Sequence, residues 1–449
     1  MCPGPLSPRG RRHSLTGVTQ NRSGETSAAP AGPASGRGRI DGIDAARALA
    51  VFGMFVVHLG VESMGLLSPE GYAWDVHGVV RGNSSALFAL LAGTSLAMMT
   101  GRTDPVGGDR LRVAVVRILT RAALIGVLGL VLDLMGVPVA IILTYYAGFF
   151  VLALPLLKLR SGALWTVAGA LAVLGPPLSF LLRDNVFPPS QRTSSLTSFG
   201  DFFLTGYYPA ITFMAFVTAG MALGRLDLAA AAVRLRLLAS GAALLLFGHL
   251  GSWVLLNPMG GMDRLVEASG PALTGLPSGE VTDEATAALV RAAVVEETQS
   301  ISGQVPTDSW WWLAVGTPHT GTTFEMAEAV GQGLVVLVVC MFLCDRFRIL
   351  MYPLTSVGRM PLTVYSGHIL VLAMVIAASG GIGWQQPWLL EGFVLGALVL
   401  ATLWRLAAGR GPAELLLGEA ANGVAALVEE RRAAADGRLP RRPSDDPPV

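Results

Sequence analysis

The apolar residues of this 449-residue chain fall into blocks of about 20, and this clustering constrains the fold more than any other feature. A helix of about 20 apolar residues is long enough to cross the hydrocarbon core of a bilayer. Only 14% of the residues are charged, against about 25% in soluble domains, whereas 52% are hydrophobic. The pattern predicts an all-α, polytopic transmembrane helical bundle and excludes a soluble enzyme with one packed core.

Ten apolar segments predict membrane-spanning helices: residues 45–66, 84–100, 113–135, 138–157, 162–182, 208–224, 237–256, 328–344, 361–380 and 388–407. Basic residues in short loops favour the cytoplasmic side of a membrane. Most arginines near the spans lie in alternate connections, so we predict that these connections and both termini are cytoplasmic. The expected location is the plasma membrane, with several passes.

The chain divides into three parts by composition. Residues 1–38 are rich in Pro, Gly, Ser and Arg and lack an apolar run, which predicts a disordered cytoplasmic tail. Residues 39–410 form the predicted transmembrane domain. Its longest external loop, residues 257–327, is acidic and is expected to form a small helical cap, with Trp310, Trp311 and Trp312 at the headgroup level. Residues 411–449 predict an amphipathic interfacial helix and then a disordered tail.

The basic residues and cysteines give no support to a phosphate-binding loop, a nucleic-acid partner or a metal site. Of 32 basic residues only Lys158 is lysine, and it lies between two leucines, so a Gly-Lys-Ser/Thr phosphate loop is excluded. A net charge of +1 gives no support to a nucleic-acid partner, and we predict none. Three cysteines and no His-Glu-x-x-His motif give no metal-ligand pattern, so no metal is predicted.

The first span carries ionisable residues that a lipid-facing helix would not tolerate. Asp44 and Arg47 are three residues apart, close enough to pair on a helix. The eleven-residue step from Arg47 to His58 is within about 20° of three full turns, so both side chains share one face, roughly 16 Å apart. A ligand with an anionic head at the inner surface and a long outward arm fits this stripe, as acyl-coenzyme A would. The alternative is an ion pair that closes the helix end and a histidine satisfied inside the bundle.

The residues Arg39-Ile-Asp-Gly-Ile-Asp44-Ala-Ala-Arg47-Ala-Leu-Ala resemble the opening of the heparan-α-glucosaminide N-acetyltransferase catalytic family and of the YeiB-type bacterial membrane proteins. The Arg-x10-His arrangement resembles the signature of acyltransferase-3-type membrane enzymes. Further likenesses run in order along the chain: Ser85 to Ser95 in the second span, Gly358 to His368 in the ninth, and Gly411-Pro-Ala-Glu414 after the tenth.

This resemblance implies transfer of an acetyl group from cytosolic acetyl-CoA to an acceptor on the far side of the membrane, with an essential histidine in the first external loop. His77 lies in that loop. We therefore expect catalysis by His58, His77 and His368, although a structural role for His368 stays open, and donor binding by Arg47, Asp44 and Arg121. The expected acceptor is an amino sugar or hydroxyl of an envelope glycan or small molecule. Membrane lipid surrounds the protein, and a homodimer is left open.

Other interpretations of these features stay open. Arg121 either snorkels to the interface or helps to neutralise the coenzyme phosphates. His249 and His319 are predicted in the outer half or outside, where a polar bundle or a solvated loop explains them. Gly93-Thr-Ser95 is interpreted as small-residue helix packing rather than as a nucleophile elbow. The rival functions are a transporter, with the fifth span broken at Pro176-Pro177, and a non-catalytic membrane partner.

Overall fold

The computed structural model describes residues 39–66, 72–185, 198–275 and 284–435, and the tails predicted to be disordered lie outside this part of the chain. Within these ranges the chain is helical and contains no strand, which confirms the all-α prediction. The first eight α-helices are α1 Asp41–Leu59, α2 Tyr72–Val80, α3 Asn83–Met99, α4 Gly108–Asp133, α5 Leu143–Ala153, α6 Ser161–Asn185, α7 Ala210–Gly224 and α8 Ala231–Leu256. The others are α9 Gly261–Thr274, α10 Glu284–Ser300, α11 Thr323–Arg346, α12 Tyr352–Arg359, α13 Pro361–Ala378, α14 Leu389–Ala407 and α15 Pro412–Ala435.

All ten predicted apolar segments lie on these helices. Eight helical stretches of the described chain are long and apolar enough to cross a membrane, namely α1, α2 continued by α3, α4, α6, α8, α11, α13 and α14. The two remaining segments, Leu143–Lys158 and Ala210–Gly224, form shorter apolar helices. The chain is therefore a multi-pass membrane protein, and the count of ten spans stays a prediction.

Helix α1 lies at the centre of the bundle. Its alanines at positions 45, 46, 48 and 50 are completely buried, and their small side chains let neighbouring helices approach closely. It packs against α3, α11, α12, α13 and α14. The ionisable residues of the first span therefore face other helices, as the sequence predicted, rather than lipid.

Helices α3 and α7 approach so closely that two of their positions require glycine. A Cβ atom at Gly93 would lie 1.9 Å from the carbonyl oxygen of Val217, and one at Gly220 would lie 1.8 Å from that of Leu90. The small-residue packing predicted for Gly93 is thus confirmed, and this position is in the middle of a helix rather than in a strand-turn-helix elbow.

Helix α6 continues through Pro176 and Pro177 without a break. Proline lacks the N–H that would bond to the carbonyl four residues earlier. Here the hydroxyl of Thr323 at the start of α11 donates a hydrogen bond of 2.8 Å to the carbonyl oxygen of Ala172. A neighbouring helix thus satisfies the group that Pro176 leaves free, and the broken helix expected of a transporter is not found here.

The described residues of the predicted cap are largely helical and have their own apolar core, and the external location of the cap stays a prediction. Leu265 of α9, Val294 of α10 and Trp312 pack together in it. Trp312 is fully buried, and its indole N–H donates to Ser269 and Asp308. The indole of Trp312 therefore packs inside the cap, and the headgroup level of the three tryptophans stays a prediction. Trp310 remains 53% exposed and packs on Phe180.

Candidate active site

A cluster of charged residues holds the inner end of α1, the end that the arginine distribution predicts to be cytoplasmic. Asp44 is buried and accepts a hydrogen bond of 2.8 Å from Arg47, which confirms that these two residues pair. The second terminal nitrogen of Arg47 donates to the hydroxyl of Ser95 at 2.7 Å. Arg359, at the end of α12, lies 3.5 Å from Asp44 and donates to Asp41 at 2.9 Å. The cluster thus joins α1 to α3 and α12.

Arg121 also reaches this end of the bundle. Its guanidinium contacts the sulfur of Met99, which lies four residues after Ser95 and so on the same face of α3. Arg47 and Arg121 therefore approach α3 at neighbouring positions. The structure thus brings Asp44 and Arg47 into contact and places Arg121 at the next turn of α3, and the role of all three in donor binding stays a prediction.

At the outer end of α1, His58 pairs with His368 of α13. Nδ1 of His58 lies 2.9 Å from Nε2 of His368, and the two rings are nearly parallel, with their centroids 5.2 Å apart. Tyr365 contacts the His368 ring edge-on at 4.9 Å, and Phe55 lies 4.6 Å from it. His368 is buried, whereas His58 is partly exposed. Residues that are 310 positions apart thus form one imidazole pair.

His58 opens onto a polar cavity of about 460 Å³. The polar side chains that line it come from six separate segments of the chain: His58, Arg81, Asp133, Tyr207, Tyr208, Ser302 and His319. Arg81 donates to the carbonyl oxygens of Gln299 and Ile301 and so ties the cap to the wall of the cavity. We call this space the outer cavity. Its volume and its mixture of aromatic, hydroxyl and charged groups suit a small polar molecule.

His368 borders a second space, an apolar groove of about 510 Å³ between α13 and α14. The groove extends along α13 from Met360 to Val371, eleven residues or about 17 Å. Trp404 and Pro412 line its inner end. Glycines 367, 392 and 396 border open space, because a Cβ atom at any of them would meet no other atom within 4 Å. Larger side chains at these positions would narrow the groove. We call it the α13/α14 groove.

The direct path along α1 from Arg47 to His58 is filled. Val51 and Met54 lie between them on the same face, and both are buried in apolar clusters. Neither the outer cavity nor the α13/α14 groove is lined by both Arg47 and His58. Packed side chains thus occupy this face of α1 between the two residues, and the α13/α14 groove reaches the histidine pair from another side.

The remaining histidines are placed differently from expectation. His77 lies on α2, is partly exposed and contacts the ring of Trp74, but it is not among the residues that line the outer cavity. His249 is exposed on α8. His319 does line the cavity, although a solvated loop was an adequate explanation from sequence. Its only sequence signal is its position in a Thr-Pro-His-Thr-Gly turn directly before a membrane span.

Two family models match the chain one after the other. Residues 39–256 match the family described as heparan-alpha-glucosaminide N-acetyltransferase, catalytic, and residues 282–423 match the family described as protein of unknown function (DUF418). Together they confirm the resemblance predicted from the sequence. No curated protein matches the chain. The first match includes Arg47, His58 and His77, whereas His319 and His368 lie in the second.

Proposed function

We propose that this membrane protein, whose first half matches an acetyltransferase catalytic family, moves an acetyl group from cytosolic acetyl-CoA to an acceptor outside the membrane. One observation carries the proposal. The His58–His368 pair stands between the polar outer cavity and the α13/α14 groove, which begins near the inner surface. A pair of imidazoles between two such spaces is suited to a reaction whose two substrates arrive from opposite sides.

His58 is the proposed general base. Nδ1 of His368 is buried and faces the carbonyl groups of Val364 and Tyr365 one turn earlier, without full hydrogen-bond geometry. We assign the proton of His368 to this nitrogen, so that its Nε2 accepts a hydrogen bond from Nδ1 of His58. Nε2 of His58 then keeps a lone pair for the outer cavity. His368 thereby fixes the tautomer of the base.

The proposed reaction is an acyl transfer at this nitrogen. An amine or hydroxyl of the acceptor attacks the thioester carbonyl, and Nε2 of His58 takes its proton. The carbon–sulfur bond breaks, and coenzyme A leaves as the thiol after the proton passes to sulfur. Attack on the thioester by the acceptor itself and passage through an acyl-histidine both fit this pair.

The donor is proposed to use the α13/α14 groove. Met360 at its inner end directly follows Arg359, which belongs to the charged cluster with Asp44 and Arg47. The phosphates of acetyl-CoA would bind at this cluster, to which Arg121 is a neighbour, and the flexible arm would extend about 17 Å along the groove toward His368. Arg47 would exchange its bond to Ser95 for a phosphate oxygen.

The acceptor is proposed to occupy the outer cavity. Tyr207 and Tyr208 supply aromatic surface, and Ser302 and Asp133 supply hydrogen-bonding oxygens, as a sugar would require. The name of the matched family supports an amino sugar or hydroxyl of the cell envelope as its class. His77, outside the cavity lining, stays a predicted catalytic residue.

The test uses purified protein in liposomes, with labelled acetyl-CoA added on one side and D-glucosamine on the other. We expect wild type to transfer label, and His58→Gln to lower the rate by about 100-fold or more, as loss of a general base does. His368→Gln should lower it less, because His58 remains. His249→Gln, on an exposed face of α8, is the matched histidine control and should retain the wild-type rate.

Donor binding is measured separately by titration with acetyl-CoA. Arg47→Ala should weaken it by about tenfold or more, whereas Arg112→Ala, an exposed arginine on α4, should not. Equal transfer by wild type and His58→Gln would contradict the role of the histidine pair. Uptake of D-glucosamine without its acetylation would favour the transporter instead.

A further inference from the structure

The turn before α11 holds a histidine in a backbone conformation that L-residues rarely adopt. His319 has φ +65°, in the left-handed region, and Gly321 follows with φ +66°. In the part of the chain that is described, only Arg102 and Trp388 share this property among residues other than glycine. Such strain persists where the surrounding structure enforces it, and it is concentrated at functional sites.

Glu325 enforces this conformation from the first turn of α11. It is buried, and its carboxyl group lies against the backbone N–H groups of His319 and Gly321. Thr322 caps the helix by accepting a bond of 3.2 Å from the N–H of Glu325. The carbonyl of His319 in turn accepts a bond of 2.7 Å from the N–H of Gly303. The strained residue is therefore tied to both α11 and the cap.

The result is that the imidazole of His319 lines the outer cavity, as His58 does. Its ring contacts Tyr208 edge-on at 6.2 Å. Among the described residues, none makes a hydrogen bond to either of its ring nitrogens. A buried carboxyl group and a strained backbone thus present an imidazole that makes no hydrogen bond within the described part of the chain.

We propose that His319 binds the acceptor in the outer cavity, by a hydrogen bond to a neutral amine or hydroxyl, and that Glu325 is the residue that positions it. The proposal rests on the proposed function and adds to the predicted catalytic histidines a further histidine, His319, that contacts the acceptor. The ligand class is a small, neutral, hydroxyl-rich or amine-bearing molecule that fits between His58 and His319.

His319→Gly is the decisive variant, because it removes the imidazole and also suits the left-handed backbone. With D-glucosamine as probe, we expect the acceptor KM to rise about tenfold, the effect of losing one hydrogen bond, while the KM for acetyl-CoA changes less than twofold. The unfolding temperature should not fall. Arg102→Gly, a second left-handed residue in a predicted inner loop, is the matched control and should leave both KM values unchanged.

The positioning role of Glu325 is tested by comparing the acceptor KM of single and double variants. Glu325→Ala should raise the acceptor KM as His319→Gly does, and the double variant should raise it no further, because both act through one imidazole. Glu325→Gln keeps an acceptor oxygen and should restore most of the affinity. A purely structural role would instead lower kcat and the unfolding temperature together.

Two results would overturn the inference, and they are distinguishable. If wild type transfers acetyl but His319→Gly has the wild-type acceptor KM, the assignment of His319 fails and the proposed function stands. If wild type transfers no acetyl to D-glucosamine or to water, the proposed function fails and this inference fails with it. A rise in acceptor KM in His77→Gln alone would assign the contact to His77.

Discussion

The two ends of α1 carry polar residues in opposite ways. At the inner end, Asp44 and Arg47 are bound to each other, to Ser95 and to Arg359, so that charge holds three helices together. At the outer end, His58 bonds to one imidazole and turns its other nitrogen to a cavity. The inner end thus holds helices together, and the outer end is the one we propose for the proton transfer, although the sequence presents both as ionisable residues on one face.

The packing around the inner end supports the same distinction. A Cβ atom at Gly358 would lie 1.6 Å from the carbonyl oxygen of Asp44, so α12 contacts the backbone of α1 there. Contact this close leaves no space for a substrate between these two helices. A donor that binds at this end must therefore bind beside the cluster, where the α13/α14 groove begins next to Arg359.

The largest expected effect is loss of stability at the inner end. Asp44→Ala would leave Arg47 and Arg359 without their buried partner, and we expect the free energy of unfolding to fall by about 3–5 kcal/mol. Asp109→Ala removes the exposed partner of Arg112 and Arg432 and should cost less than about 1 kcal/mol. Denaturant unfolding in lipid–detergent micelles measures both. Equal losses would show that the inner cluster is not structural.

The contrast between the ends also shows what sequence could predict. The Asp44–Arg47 pair and the shared face of α1 follow from helical spacing, and ten apolar segments predicted ten helices. The His58–His368 contact joins residues 310 positions apart, and no local pattern encodes which helices meet. His319 depends on a left-handed backbone and a buried carboxylate, both of which arise only when α11 and the cap are packed.

A double-mutant cycle at the outer end tests whether the two histidines act as one unit. His58→Gln and His368→Gln should each lower stability by about 1–3 kcal/mol, because each leaves a buried ring nitrogen unpaired. The double variant should cost less than their sum, with a coupling of about 2 kcal/mol. Pairing Asp44→Ala with His58→Gln gives the control, since these residues are remote and should be additive. Additive histidine variants would contradict the pair.

The smallest expected effect is a change of the free energy of unfolding with pH. It tests whether the imidazole of His319 in the outer cavity is neutral. Burial, and then the nearby charge of Arg81, lower the pKa of His319 from 6.5 to about 4. Between these pH values the unfolded chain binds a proton at His319 that the folded protein does not bind. His319 therefore has no effect on the free energy of unfolding above pH 6.5 and lowers it as pH falls toward 4. From pH 7.5 to 5.5 the contribution of His319 should fall by about 1 kcal/mol, measured as the difference between wild type and His319→Gln. Equal slopes in the two proteins would show that the cavity leaves the pKa of His319 at its ordinary value, and would contradict the burial of its imidazole.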